Sequence, residues 1–295
     1  MREKIIRELP ELETIIRLFI RTARFKWLIR ILTRLVVRIR KKRIILVIGF
    51  SRSGTTMLGE FLGFAEGTCY IHEPIKQVLM CKCDTERQHQ DDFWKHFRQK
   101  STQQERLHAL VCTILFYSFK SPSDIHTIIV KPIMVVDSIR EIEKKLGFLK
   151  VVYISRHPCG HLDSMIRQQQ YENRLKGTYT NSRLRTSAAN WAEKISDAQC
   201  CLKRQPGWIW ILFEEITANP TGEFERLFQR LQLNWTPDVK EKIIRNTTAE
   251  DGGFYETKRN AASQAEKWKQ NLTAEQIETI RKGCMTMSTN LYAGF

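Results

Sequence analysis

Short runs of uncharged apolar residues alternate along this chain with longer stretches in which apolar residues recur every three or four positions. The short runs are typical of β-strands buried on both faces, and the longer stretches are typical of amphipathic helices. The predicted strands are 44–48, 69–72, 128–132, 150–155 and 208–213, and the predicted helices are 55–66, 107–119, 137–146, 190–202, 221–231 and 274–282. Because strands alternate with helices, we expect a single α/β domain with a doubly wound, mainly parallel sheet and helices on both faces.

The first predicted strand leads into the polar loop G-F-S-R-S-G-T-T, which spans Gly49 to Thr56, and a helix is predicted from Thr55. The first turn of a helix has unpaired N–H groups and a partial positive charge, so this arrangement favours an anion such as phosphate. The loop matches the nucleotide-binding pattern G-x-x-x-x-G-K-[ST] except at the lysine position, which holds Thr55. The fold is therefore expected to be P-loop-like, with Arg52 as the cation of the loop in place of the lysine.

This G-x-x-R-S-G-T-T loop resembles the 5′-phosphosulfate-binding loop of the sulfotransferases that use 3′-phosphoadenosine 5′-phosphosulfate (PAPS). The resemblance implies that PAPS is the donor cosubstrate and that no metal is needed. It also implies a set of residues that hold the 5′-phosphosulfate: Arg52, Ser53, Gly54, Thr55 and Thr56.

A second phosphate site is predicted where the strand 150–155 ends, because Arg156 follows the strand and Ser164 lies within the first turns of the next helix. This spacing resembles the 3′-phosphate site of the same family, R-D-P-R-x-x-x-x-S-R, which implies that Arg156 and Ser164 hold the 3′-phosphate. Three positions depart from that pattern, namely His157, Cys159 and Met165. Arg167 is a candidate substitute for the missing second arginine.

The C-terminal region carries a third element of the resemblance. Thr257-Lys258-Arg259-Asn260 precedes Trp268-Lys269-Gln270-Asn271-Leu272-Thr273, similar to the family's R-[DN]-S and W-[RK]-x-x-L-[ST] segments. The likeness implies that Arg259 also contacts the phosphates of the cosubstrate. Thr273 is a predicted N-cap for the last helix.

Two further residues are candidates for the chemistry. Glu73 precedes Pro74, which predicts an extended backbone beside the phosphate loop, and a carboxylate there can take a proton from an acceptor hydroxyl. Lys131 lies at the C-terminal end of a predicted strand, where ligands bind in doubly wound sheets. By the resemblance, Glu73 is the general base, and Lys131 with Arg52 stabilises the sulfuryl group. The Glu-Pro pair is closest to the carbohydrate branch, of the galactose and N-acetylglucosamine type.

The N-terminal segment is strongly basic. The chain carries a formal charge of +16, and residues 1–43 hold 14 Lys/Arg against 4 Glu. Residues 14–43 combine arginines at four-residue steps with Trp, Phe and Leu, which is typical of a helix lying on an anionic membrane; a helix packed on the domain with a solvated basic face is the alternative. No pattern of a nucleic-acid-binding protein is present, so we expect no nucleic-acid partner. We divide the chain into this segment, 1–43, and a sulfotransferase-like domain, 44–295.

The cysteine pattern bears on location. None of the eight cysteines forms a C-x-x-C pair, so no zinc site is predicted and reduced thiols are expected. Three N-x-[ST] sequons, at Asn234, Asn246 and Asn271, point instead to a lumenal protein. Without a signal peptide or transmembrane run, we expect a cytoplasmic protein, peripheral to a membrane if residues 14–43 bind one, rather than a protein of the Golgi lumen.

Taken together, these patterns predict transfer of a sulfuryl group from PAPS to a hydroxyl of a carbohydrate, a glycolipid or another acceptor. Two alternatives stay open at this point: an NTP-dependent kinase of the P-loop kind, against which Thr55 counts, and a non-catalytic peripheral membrane protein whose loop binds an anionic headgroup.

Overall fold

The computed structural model describes residues 5–6, 22–74, 102–132, 136–171, 179–249 and 260–285. Two compact units share the chain: the first consists of Met1–Ile48 and Leu58–Val152, and the second of Gly49–Met57 and Tyr153–Phe295. Both units contain strands of a mainly parallel sheet flanked by helices, which confirms the predicted fold class.

The first unit contains most of the strands. They are β1 (Ile5–Ile6), β2 (Arg43–Gly49), β3 (Thr68–His72), β4 (Thr127–Lys131) and the first half of β5 (Lys150–Ser155). Their order is β1-β3-β4-β2-β5, and β1 with β3, β3 with β4, and β4 with β2 pair in parallel. Nearly every residue of the strands β2, β3, β4 and β5 is buried, as the uncharged runs predict for strands covered on both faces.

The helices of the first unit are α1 (Lys26–Ile39), most of α2 (Thr55–Leu62), α3 (Gln103–Lys120) and α4 (Ile139–Leu146). A capping box between Thr102 and Glu105 begins α3. Helix α1 packs on α3 through its buried Ile29 and Thr33. Of the helices in the described ranges, none combines the length and the apolar character that crossing a bilayer requires.

The second unit contains the end of β5, which neighbours β6 (Ile209–Leu212), and most of the helices. They are α5 (Pro158–Tyr171), α6 (Asn181–Arg204), α7 (Phe213–Ala218), α8 (Pro220–Leu231), α9 (Pro237–Thr247), α10 (Ala261–Gln264), α11 (Trp268–Asn271) and α12 (Ala274–Cys284). Trp191 of α6 and Phe224 and Phe228 of α8 are among its largest fully buried side chains.

Several helices differ from the sequence predictions. Gln168 lies in the last turns of α5, and α6 begins at Asn181 rather than at the predicted residue 190. Helix α2 ends at Leu62, before its predicted end at residue 66. The helices α7, α9, α10 and α11 were not predicted.

Candidate active site

The loop after β2 has the backbone of a phosphate cradle. Gly54 has a φ of +87°, in the left-handed region that favours glycine, and a Cβ at this position would lie 2.8 Å from the ring of Phe213. Gly49 lies so close to β5 that a Cβ would stand 2.3 Å from the carbonyl oxygen of Ile154. The tight turn, closed by a bond from Ser53 N to Phe50 O (3.2 Å), therefore depends on both glycines.

The loop fits a phosphate group. The hydroxyl of Ser53 is fully buried and has no hydrogen-bond partner among the residues that the structure describes. Helix α2 begins two residues later, at Thr55, as the sequence predicts, so its unpaired N–H groups follow directly. A buried hydroxyl without a partner is costly unless a ligand or water accepts its hydrogen bond, so an anion at this turn would satisfy it.

Arg52 and Ser164 meet in the second unit, although 112 positions separate them in the chain. The Nε of Arg52 donates to the Oγ of Ser164 over 3.1 Å. Arg52 has a φ of +68°, so the loop backbone bends sharply at the residue that directs this guanidinium towards α5. The structure thus brings together one residue from each of the two predicted phosphate sites.

Arg156 is buried in the same unit and joins the loop to the C-terminal region. Its Nη1 donates to the carbonyl oxygen of Arg52 (3.1 Å) and its Nη2 to that of Gln264 (2.7 Å). Its guanidinium lies 4.4 Å from the ring centroid of Phe213. Burial lowers the pKa of Arg156 to about 10, although Glu214 opposes the shift, and its Nε has no partner among the described residues.

The departures from the family pattern have packing roles. The ring of His157 stacks on Trp268, with centroids 4.7 Å apart and planes within 4°. The backbone N–H of His157 donates to Glu214 Oε1 (2.8 Å). Burial lowers the pKa of His157 to about 4 and raises that of the Cys159 thiol. Trp268, which the sequence places in the W-[RK]-x-x-L-[ST] segment, is thus a direct neighbour of His157.

Arg167 forms an ion pair with Asp163 of the same helix. Its Nε and Nη2 both donate to Asp163 Oδ2, at 3.1 and 3.0 Å, and Asn271 donates to the other carboxylate oxygen (3.0 Å). This carboxylate is buried, so the contacts tie α5 to α11.

His161 supports the loop, a role that the sequence reasoning missed. Its ring packs 5.1 Å from that of Phe50, and a bond with the backbone of Ser51 raises its pKa. Burial, which is the larger effect, lowers that pKa to about 4. His161 lies far from the loop along the chain, so no local sequence pattern indicated this contact.

Glu73 and Lys131 form an ion pair in the first unit, at the ends of the neighbouring strands β3 and β4. Lys131 Nζ lies 2.5 Å from Glu73 Oε1, and the N–H of Glu73 donates to the carbonyl of Lys131 (2.9 Å). The prediction of an extended Glu73 is wrong, because its φ is +46°. Pro74 disfavours only the right-handed helical region, and the two contacts with Lys131 hold the residue in the left-handed one.

Two aromatic residues extend this pair. His72 Nε2 lies 3.7 Å from Glu73 Oε1, and the hydroxyl of Tyr70 is 3.0 Å from His72 Nδ1. Both belong to β3, in which residues two apart share a face, so Tyr70 and His72 follow one another on the same side of the strand. The period-two spacing was visible in the sequence, but the contact of His72 with the carboxylate was not, because it depends on the bend at Glu73.

Arg259 lies outside the described residues, so its predicted contact with the cosubstrate stays a prediction. The six described cysteines are free thiols: Cys69, Cys112, Cys159, Cys200, Cys201 and Cys284.

Comparison with protein families gives a match to the sulfotransferase domain over residues 42–291. Among curated proteins, human carbohydrate sulfotransferase 3 is 27% identical over 88 residues. That alignment covers 28% of this chain and 18% of the human protein.

Solved structures with related folds include sulfotransferases. STF9 from Mycobacterium avium has a TM-score of 0.51 at 9% identity and covers 79% of this chain and 77% of its own. The mouse SULT7A1, a complex with PAP, has a TM-score of 0.47 at 14% identity over 82% of this chain and 83% of its own. The likeness to STF9 supports the fold, since its sequence identity is too low to indicate more.

Proposed function

This chain belongs to the sulfotransferase family, and on that premise we propose that it transfers a sulfuryl group from PAPS to a hydroxyl of a carbohydrate. The observation that carries this proposal is the match of the family model to residues 42–291, which takes in the phosphate loop and every described candidate site residue. Family membership also favours this reaction over the kinase and the non-catalytic anion-binding protein that the sequence left open.

The donor proposal rests on the loop and on Arg156. When bound, PAPS supplies the sulfuryl group and leaves as adenosine 3′,5′-bisphosphate. We assign the 5′-phosphosulfate to Arg52 and to the segment from Ser53 to Thr56, where a buried hydroxyl without a partner favours an anion. The 3′-phosphate is assigned to Arg156 and Ser164. Arg52 links the two sets of binding residues because its side chain contacts Ser164.

The catalytic roles are assigned by residue chemistry. The carboxylate of Glu73 accepts the proton of the acceptor hydroxyl while the oxygen of that hydroxyl forms its bond to sulfur. Lys131 and Arg52 stabilise the negative charge that develops as the bond from sulfur to the phosphate oxygen breaks. The ion pair with Lys131 fixes the direction of the Glu73 side chain, which is the positioning that a general base requires.

The carbohydrate acceptor is the finer part of the proposal. It is supported by the Glu73-Pro74 pair and by the partial similarity to human carbohydrate sulfotransferase 3. A glycolipid, another lipid or a tyrosine hydroxyl would be served by the same base, so the acceptor class has to be determined by experiment.

The test is a mass-spectrometric screen of acceptors. The full chain is incubated with PAPS and, in parallel, with oligosaccharides that carry galactose or N-acetylglucosamine, with glycolipids, and with tyrosine peptides. We expect a mass gain of one sulfuryl group on the sugar-containing acceptors, dependent on PAPS. Sulfation of the tyrosine peptides alone would contradict the carbohydrate proposal while leaving sulfuryl transfer intact.

A further inference from the structure

Helix α1 exposes an unusual concentration of large apolar side chains. Seven of the eleven large hydrophobic residues that the structure shows as exposed fall within 25–39, with exposed fractions from 38% to 67%. They are Phe25, Trp27, Leu28, Ile31, Leu32, Leu35 and Ile39. At 3.6 residues per turn, those of α1 form one sector of the helix, away from Ile29 and Thr33, which pack on α3. A contiguous apolar patch of this kind marks an interaction surface.

A row of arginines borders the apolar sector. Arg30 and Arg34 are four residues apart and lie on one side of α1, between the packed face and the apolar sector, and Arg38, four residues further on, lies at the edge of the apolar sector. Residues 22–43 contain nine Lys/Arg and neither Asp nor Glu. The apolar surface is therefore flanked by positive charge, which selects a partner that is both apolar and anionic.

A cationic pocket opens beside the N-terminal end of the same helix. It has a volume of about 310 Å³ and is lined in part by Arg24, Lys26, Arg30 and Lys145, with Trp27 at its wall. Lys145 is paired with Glu141 (2.5 Å), whereas Arg24 and Lys26 form no ion pair with any described carboxylate. Four cations around one cavity suit a phosphate group, and Trp27 belongs to both the pocket and the apolar sector.

We propose that α1 binds the surface of an anionic phospholipid membrane, with its apolar sector in the acyl boundary and a lipid phosphate in the cationic pocket. The combination of a basic row with Trp, Phe and Leu on the adjacent sector is the composition of helices that lie in the interface plane. Fourteen residues of helix measure about 21 Å, too short to cross the hydrocarbon core, so α1 lies along the surface. Trp27 sits at the headgroup level, where tryptophan is favoured.

Flotation of the full chain with lipid vesicles tests the proposal. One set of vesicles contains phosphatidylcholine alone, and the other contains phosphatidylcholine with phosphatidylserine. We expect at least about tenfold stronger binding to the anionic vesicles, because each basic residue near a charged surface adds to the affinity. Raising the salt concentration should weaken this binding.

Paired variants separate the contributions. Arg34→Glu with Arg38→Glu should lower binding to anionic vesicles about tenfold, and Arg226→Glu with Arg230→Glu, an equally spaced exposed pair on α8, is the matched control. Trp27→Ser with Ile31→Ser should abolish flotation. The controls Ile244→Ser and Met285→Ser, which also replace exposed apolar residues, should leave flotation unchanged. Lys26→Gln with Lys145→Gln should weaken binding to the anionic vesicles and leave binding to the neutral vesicles unchanged. Circular dichroism confirms that each variant is folded.

Several outcomes would overturn the proposal. They are equal binding to neutral and anionic vesicles, no binding to either, or unchanged binding of the α1 variants. If sedimentation instead showed self-association that Trp27→Ser with Ile31→Ser removes, the apolar sector would belong to a second copy of the chain rather than to a membrane. Unchanged anionic binding of the Lys26 and Lys145 variant would overturn the assignment of the pocket.

Discussion

Glu73 is held in a left-handed backbone conformation that a non-glycine residue rarely adopts. Such a conformation costs on the order of 1–3 kcal/mol and persists where the surroundings determine it. Here the determining contacts are the ion pair with Lys131 and the bond from the Glu73 N–H to the Lys131 carbonyl. Strained residues of this kind cluster at functional sites, which agrees with the proposed role of Glu73 as the base.

Replacing the carboxylate of Glu73 by an amide tests that role. Glu73→Gln preserves the size of the side chain but cannot accept the proton of the acceptor hydroxyl. We expect turnover to fall at least ~10²-fold, the range expected for a general base, while affinity for adenosine 3′,5′-bisphosphate stays unchanged. Steady-state sulfation and isothermal titration measure the two quantities.

The control for this substitution is Glu215→Gln, which removes an exposed carboxylate on α7. It should leave turnover at the wild-type level. Near-normal turnover of Glu73→Gln would remove Glu73 from the role of base.

The half-buried His157 and the buried His161 make the stability of the fold sensitive to acid. Burial lowers the pKa of His157 and of His161 to about 4, from an ordinary value of 6.5. Between these pH values the unfolded chain binds protons that the folded chain does not. The free energy of unfolding is therefore expected to decrease as the pH falls from 6.5 towards 4, by up to about 1.4 kcal/mol per pH unit for each histidine.

His157→Asn isolates one of these contributions, since the asparagine oxygen can accept the bond that His157 Nδ1 accepts from Cys159 N. Urea unfolding of the variant at several pH values should show a shallower dependence between pH 4 and 6.5. His126→Asn, which removes an exposed imidazole, is the control. An unchanged slope in His157→Asn would show that folding does not lower the pKa of His157.

At the residue scale, the sequence predicted the local parts of the site and missed the long-range ones. Strand, loop and helix are adjacent in the sequence around Arg52, and Arg156 and Ser164 both follow the strand β5. The spacing of these residues was therefore sufficient to assign them to their structural elements. The bond from Arg156 to Gln264 joins residues 108 positions apart, and no local pattern encodes it. The bend at Glu73 depends in the same way on a partner in another strand.

Helix α12 packs so closely on α6 that one glycine becomes essential. A Cβ on Gly283 would lie 2.6 Å from the carbonyl oxygen of Arg185 and 2.7 Å from the Cβ of Ala188. Because the first of these atoms is backbone, α12 or α6 would have to shift to make room. The capping box between Thr273 and Gln276 fixes where α12 begins and so fixes this approach.

Gly283→Ala should therefore destabilise the protein, although alanine is the better helix former. We expect a loss of about 1–3 kcal/mol in the free energy of unfolding, the usual cost of an overpacked core. Urea denaturation measures the loss. Gly207→Ala is the matched control, since a Cβ there meets nothing within 4 Å, and its stability should stay within about 1 kcal/mol of wild type. Equal stability of both variants would contradict the packing argument.

At the element scale, burial decided which predictions succeeded. The strands from β2 to β6 were predicted within one or two residues because uncharged runs have few other interpretations. The start of α6 was misplaced because its first turns face solvent and carry Arg183 and Arg185, so the helical period was hidden. Thr180 caps this helix by accepting a bond from Arg183 N, and that cap was the signal that could have located its start.

At the scale of the whole molecule, the family match spans both compact units. Glu73 and Lys131 belong to the first unit, and Arg52, Arg156 and Ser164 belong to the second. Arg52, Arg156 and Ser164 are proposed to hold the nucleotide and all belong to the second unit, so the nucleotide should still bind when Glu73 in the first unit is changed.

Protection of the fold by nucleotide tests the central claim most directly. The full chain is unfolded by heat in the presence of adenosine 3′,5′-bisphosphate or of ATP with Mg²⁺, at equal concentrations. A ligand at one hundred times its dissociation constant adds about 2.7 kcal/mol to the stability of the state that binds it. We predict a rise in Tm with the bisphosphate and little change with ATP and Mg²⁺. No rise with the bisphosphate, or an equal rise with both nucleotides, would contradict the account.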